Sequence, residues 1–185
     1  MREPLETARL VLRRPVASDA HAIFQCYASD PEVTRYLSWP RHTAIEETRM
    51  FLQFSDAEWA RWPAGPLLIF SRGDGTLLGG SGLGFEAPHR AATGYVLAKD
   101  QWGKGYATEV LGAIVEVARS VGVQRLYAIC HVDHVASWRV MEKCGFAREA
   151  LLRRHTVFPN LSDEPADVLQ YAQILPPVSP PLTGV

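Results

Sequence analysis

The chain has 185 residues, 47% hydrophobic and 21% charged, with 19 Lys and Arg against 20 Asp and Glu for a net charge of -1. That length and composition suit one domain with a single sizeable core, and the balanced charge offers no general field for nucleic acid or an anionic membrane. No run of about 18 apolar residues is present to span a membrane, and MREPLETARL lacks the apolar core of a secretory signal, so a cytoplasmic protein is expected. Cys26, Cys130 and Cys144 are odd in number, widely spaced and in no CxxC pair. They read as buried free thiols in a reducing compartment, with neither a disulfide framework nor a metal site.

Residues 8–14, ARLVLRR, alternate apolar and polar and predict a first strand. Pro15 ends it, and Ser18 with Asp19 is placed to cap a helix through AHAIFQCYA. Asp30-Pro31 restarts the chain into a short helical piece, EVTRYL, and SWPRH makes a loop. Thr43 is the expected cap of an amphipathic helix, AIEETRMFLQFSDAEWARW, which Pro63, Gly65 and Pro66 break. LLIFSR and TLLGGSGLGF are strands separated by the hairpin signal Gly73-Asp74-Gly75, and AATGYVLA is a further strand. After it comes QWGKGYATEV, and from Ala107 the positions Val110, Leu111, Ile114, Val115, Ala118 and Val121 recur at helical spacing, with Gly122 just past the end. RLYAIC reads as a buried strand, HVASWRVMEKCGF as a helix ending at Cys144-Gly145, and REALLRRHTVF and DVLQYAQIL as two final strands. The tail PPVSPPLTGV, residues 176–185, cannot continue a sheet and is expected to be disordered, leaving a domain over 1–175.

Consecutive strands imply antiparallel pairing, while the strand–helix–strand unit around residue 110 implies a parallel crossover. The expected fold is therefore α/β with a mixed sheet.

In QWGKGYATEV two glycines flank a lysine where a helix begins. A helix start carries unsatisfied N–H groups and about half a positive charge. Gly103 and Gly105 permit close backbone approach, Lys104 adds a point charge and Thr108 a hydroxyl. Together they describe a phosphate or pyrophosphate cradle. The stretch fits neither a P-loop, whose second glycine is missing at the required spacing, nor a dinucleotide fingerprint, whose third glycine is replaced by Thr108.

The stretch resembles the coenzyme A loop of the GCN5-related N-acetyltransferases, Gln/Arg-x-x-Gly-x-Gly/Ala, with Trp102 at the Gln/Arg position, Gly103 and Lys104 free, Gly105 the glycine, Tyr106 free and Ala107 last. A second segment, His134-Val135-Ala136-Ser137-Trp138-Arg139-Val140-Met141-Glu142-Lys143-Cys144-Gly145-Phe146, is similar to Asn-x-Ala/Ser-Ser-x-x-Val-x-Glu-Lys-x-Gly-Phe of the RimJ/RimL-like branch, the ribosomal-protein alanine acetyltransferases. The likeness runs over residues 7 to 175. It departs at Trp102, at His134 where the branch has Asn, and at Ala92 where an acidic residue is common.

The resemblance implies a single α/β domain with a mixed, mostly antiparallel central sheet, splayed in the middle and flanked by helices on both faces. It implies acetyl-CoA as acyl donor and direct attack by a primary amine through a tetrahedral intermediate. The amine would belong to a protein N-terminus or a small molecule, and a homodimer is compatible. Tyr95, Val96, Leu97 and Ala98 would pair with the pantetheine amides, with a backbone N–H near Val96 or Leu97 steadying the oxyanion. Trp102, Gly103, Lys104, Gly105, Tyr106, Ala107 and Thr108 would hold the phosphates, and His134 and Ser137 would complete the cofactor site. Ser137 would be the general acid. The base stays open among Glu86, His89, His134, His155 and water.

Trp39, Phe85, Glu86 and Phe158 are the acceptor-side candidates; Trp39, Trp59, Trp62 and Phe158 read equally well as core aromatics. The GGSGLG run, residues 79–84, suggests a bulge or close backbone approach to substrate. Arg153-Arg154-His155 reads as a solvated strand edge or a contact for phosphates or an acidic acceptor. Two other functions compete: a coenzyme A-binding module without turnover, and a nucleotide-binding protein using the same loop.

Overall fold

The alternation in ARLVLRR makes a strand, β2 (Leu10–Arg13), that buries Leu10 and Leu12 completely, and a short β1 (Leu5–Glu6) folds back against it. This computed structural model describes residues 4–176, so the disorder expected of the Pro-rich tail 176–185 lies, past Pro176, outside the described residues. Past Pro15 the chain turns through Asp19, whose carboxylate accepts the Arg13 guanidinium at 2.7 and 2.8 Å and the Val16 N–H at 2.7 Å. Asp19 alone makes this contact, without the expected Ser18.

The first helix, α1 (Ala20–Ile23), runs straight on into a π-helical turn, Phe24–Ala28. At α2 (Pro31–Thr34), Asp30 accepts the N–H groups of Glu32 and Val33, and Pro31 occupies the position whose missing N–H costs nothing. The long helix α3 (Ile45–Arg61) corrects the expected cap. Thr43 does not cap it; Glu47 reaches back to accept the N–H groups of Ala44 and Thr43, half of a capping box.

Three strands follow as an antiparallel meander, β3 (Pro66–Ser71), β4 (Leu77–Ala87) and β5 (Arg90–Leu97). Helix α4 (Tyr106–Ser120) crosses to β6 (Arg125–His131), and α5 (Val135–Lys143) leads to the hairpin of β7 (Ala147–Phe158) and β8 (Ser162–Ile174). Among the described residues eight strands form one open sheet, ordered β1-β2-β3-β4-β5-β6-β8-β7, in which only β5 and β6 are parallel.

Strand alternation assigns the two layers. Leu67 and Ile69 of β3 pack with Val110, Leu111 and Ile114 of α4, whereas Leu68 between them packs with Ile23, Tyr27 and Leu52 on the other face. The glycine run of β4 serves the sheet itself. A Cβ on Gly79 would stand 2.0 Å from the Val96 carbonyl oxygen, and one on Gly82 2.5 Å from that of Gly65. At these two positions the close approach is to neighbouring backbone.

One irregularity positions the site. β5 pairs with β6 only at Arg90↔Arg125, Ala91↔Leu126 and Ala92↔Tyr127. From Thr93 onward β5 keeps only β4, and from Ala128 onward β6 keeps only β8. The sheet splays there, and one edge of β5 faces a gap.

Candidate active site

At the mouth of the gap the chain makes the turn from β5 into α4. Gly103 and Gly105 hold φ of 74° and 79°, the left-handed region that side-chain-bearing residues avoid. The first backbone bond into α4 runs from the Glu109 N–H to the Gly105 carbonyl at 3.2 Å, and among the described residues no protein acceptor takes the N–H groups of Tyr106, Ala107 and Thr108. Those donors lie along the axis of a 15-residue helix, at its positive end. The geometry fits a pyrophosphate. Lys104 is exposed beside them, its Nζ 3.1 Å from Gln101 Oε1. Trp102 does not replace a charge: its indole N–H donates to the Leu97 carbonyl at 2.9 Å and fastens the loop to the end of β5.

Backbone alternation decides which groups face the gap. The Ala98 N–H donates to Leu78 of β4 at 2.8 Å, so Val96, two residues back, also faces β4, while the N–H and C=O of Tyr95 and the N–H of Leu97 face the open edge, the Leu97 carbonyl being held by Trp102. Of the two expected oxyanion donors, the Leu97 N–H is therefore the one that faces the gap. The Tyr95 ring goes toward α5, where its hydroxyl lies 2.8 Å from the Ser137 carbonyl and 3.1 Å from Ser137 Oγ. Burial pushes the Tyr95 phenol well above its ordinary pKa, so it stays protonated.

His134 stands just before α5, and its carbonyl accepts the Ser137 N–H at 3.0 Å. Its ring stacks on Tyr36 at 4.8 Å and 23°. Burial, then neighbouring His131, holds its pKa below the ordinary value. Neither ring nitrogen has a hydrogen-bond partner among the described residues, whereas Nδ1 of His131 accepts the Asp133 N–H at 3.1 Å. His131 also meets Tyr36 at 5.1 Å and the buried Phe158 edge-on at 5.1 Å. The structure thus gathers Tyr95, Leu97, the 102–108 loop, His134 and Ser137 around one gap, with Tyr36, His131 and Phe158 beside it. His131 belongs to no motif, and only the fold brings it beside Tyr36.

Glu86 is elsewhere. Tyr95 pairs with Ser81, and from Ser81 to Glu86 along β4 is ~16 Å of strand. Its carboxylate is bound by Arg90 at 2.7 Å and by the Tyr127 hydroxyl; burial, then Glu86, pushes that phenol up to about 12. With Arg125, His155 and Gln170 they line a cleft of about 300 Å³. His155 reaches it from a bulge in β7, where Arg154 takes a strained φ of 47°. Phe85 points the opposite way, buried and stacked on Trp62 at 5.1 Å, and is a core residue. Trp59 too is structural, donating to the Pro66 carbonyl at 2.8 Å, while Trp39 packs on His42 at 5.2 Å. Burial pushes the thiols of Cys26 and Cys130 up to about 11, which disfavours the thiolate.

The sequence matches the model of the acetyltransferase (GNAT) domain over residues 9–147. YoaA of Bacillus subtilis, an uncharacterized N-acetyltransferase, is 34% identical over 161 residues, covering 82% of this chain and 86% of its own. Among solved structures, a GNAT-family acetyltransferase from Bacillus anthracis superimposes with a TM-score of 0.79 at 26% identity, covering 91% of this chain and 96% of that one. RimL, a ribosomal L7/L12 alpha-N-protein acetyltransferase in complex with coenzyme A, gives 0.81 at 26% identity over the same shares. Among the described residues no helix is long and apolar enough to cross a membrane. A splayed sheet, a loop of free N–H groups at its mouth and these relatives together make the chain a member of the GNAT acetyltransferase family, RimL-like in structure, with acetyl-CoA as its acyl donor.

Proposed function

We propose that the protein acetylates a primary amine by direct attack, using Ser137 to assist the leaving sulfur. The observation that carries this reading is the Tyr95–Ser137 contact at 2.8 and 3.1 Å, set beside the unpaired edge of β5. Acetyl-CoA supplies an acyl group already activated as a thioester. The free N–H groups opening α4 hold its pyrophosphate, and Tyr95 and Leu97 offer the backbone edge for its amide arm. The Leu97 N–H is placed to donate to the developing oxyanion. A thiol with a pKa near 8.5 needs modest help to leave, and the Ser137 hydroxyl gives it as a hydrogen bond.

The attacking amine must shed a proton. His134 lies three residues from Ser137, within a turn's spacing of ~5–6 Å between Cβ atoms. Its ring nitrogens are unclaimed and its burial keeps it neutral, so it is the base of this reading. Glu86, bound by Arg90 and Tyr127 and ~16 Å of strand from the level of Tyr95, is not the base of this reading. The acceptor is an amine of the kind that RimL's name specifies, a protein N-terminus. The acyltransferase domain is residues 1–175, working in the cytoplasm.

Thiol release from acetyl-CoA over a panel of N-terminal peptides, free amino acids and polyamines tests the reading. Release is expected with peptides, and Ser137→Ala should lower kcat about 100-fold with KM for acetyl-CoA little changed. An unchanged kcat would remove Ser137 from the mechanism. Coenzyme A binding without release on any amine would leave a silent binding module.

A further inference from the structure

We infer that Arg9 is the positioning residue of the pyrophosphate loop, an inference that rests on the cofactor site described above. Arg9 lies between β1 and β2, 95 residues in sequence from Lys104, yet its Nη1 donates to the Lys104 carbonyl at 2.9 Å. Its Nε donates to Glu109 Oε2 at 2.7 Å and its backbone N–H to Glu109 Oε1 at 2.9 Å. The guanidinium carbon sits 4.4 Å above the Tyr106 ring centroid. Glu109 is itself fixed by the Thr7 hydroxyl at 2.6 Å. One side chain therefore grips the loop before Gly105 and the first turn of α4 after it.

The grip has a consequence for anion binding. In a planar trans peptide the C=O and the following N–H point in opposite directions. Tying the Lys104 carbonyl to Arg9 thus aims the Gly105 N–H away from Arg9, and no protein acceptor takes that N–H among the described residues. It joins the donors of Tyr106, Ala107 and Thr108. Lys104 lies between two glycines at positive φ, so without this tether the peptide that joins it to Gly105 would be freer to turn. The charge of Arg9 is already balanced by Glu109, so its contribution is to hold geometry.

The test compares ligands with and without a pyrophosphate. In the full chain, Arg9→Ala should raise the calorimetric Kd for coenzyme A about tenfold, the scale of one charge-assisted contact network. It should leave thiol release from acetyl-pantetheine, which has the thioester and amide arm alone, within about twofold of the parent. Arg9→Lys should recover little, because an ammonium cannot bridge the Lys104 carbonyl and Glu109 as a planar fork does; it also carries the comparison should Arg9→Ala fail to fold. Equal losses with both ligands would make Arg9 merely structural and overturn the inference, as would no loss with either. A parent protein that takes acetyl-pantetheine as well as acetyl-CoA would instead refute the pyrophosphate reading of the loop itself.

Discussion

At the scale of single residues, the proton of Tyr95 is the informative one. A phenol has one proton to give, and at 2.8 Å it goes to the Ser137 carbonyl, so the 3.1 Å contact has Ser137 donating back to Tyr95. For Ser137 to face a sulfur, the Tyr95 proton must turn to Oγ. Tyr95→Phe removes both arrangements and should lower kcat about tenfold while KM for acetyl-CoA holds. If Tyr95 works through Ser137, the double variant with Ser137→Ala should be no slower than Ser137→Ala alone. Additive losses would make the two independent. His134 makes a separate prediction through pH. Burial and His131 lower its pKa beneath the ordinary 6.5, so kcat/KM should fall as pH drops through an inflection below that value, and His134→Asn should abolish the inflection. A surviving inflection would remove His134 as the base.

Between elements, the turn joining β7 to β8 is fastened to the stretch between α2 and α3 by one amide. Asn160 Nδ2 donates to the carbonyls of Thr34 at 2.8 Å and Trp39 at 2.9 Å, and its Oδ1 accepts the Arg41 N–H at 2.8 Å. Those partners flank the loop from α2 to α3, around a cleft of about 360 Å³. Asn160→Ala removes three hydrogen bonds, each worth about 1 kcal/mol, and a domain of this size should lose roughly 2–4 °C of Tm per kcal/mol. Because the latch holds Tyr36 and Trp39 in place, KM for the acceptor should rise about fivefold while KM for acetyl-CoA stays put. A shift confined to acetyl-CoA would show that the latch serves the other side of the gap. None of this was visible along the chain, where an asparagine in a turn reads as turn chemistry. The elements were legible because apolar periodicity is local, and the 102–108 loop because free N–H groups and left-handed backbone demand glycine in place. The π turn after Ile23 left no such mark. Phe85 and Glu86 are neighbours in sequence, but strand alternation sends them to opposite faces, which separates two residues expected to share a pocket.

For the whole molecule, long-range contacts decide what could not be foreseen: Arg9 with Glu109, Asn160 with Thr34 and Tyr36 with His134 each join segments that only the folded sheet brings together. All three tethers have a partner within the first 36 residues, and that front is also where acid should act. Burial by itself would raise the Asp19 carboxyl, but the Arg13 guanidinium and the Val16 N–H outweigh it and hold the pKa below the usual range. Glu109 follows the same logic, with burial outweighed by Thr7 and Arg9. Both groups bind protons more weakly folded than unfolded, where carboxylates titrate near 3.9 and 4.3. Their stabilisation is complete above those values and is lost as pH falls through the folded ones. Urea midpoints should therefore hold from pH 7 to about 5 and decline below that. Asp19→Asn should cost about 2 kcal/mol at pH 7, by leaving the Arg13 guanidinium without its carboxylate, and should flatten the acid decline. Glu109→Gln should flatten it too while also weakening coenzyme A binding, since Glu109 anchors the side chain that holds the loop. If both variants keep the parent's slope between pH 5 and 3, the acid sensitivity lies in other carboxylates and the front of the molecule is not its first point of failure.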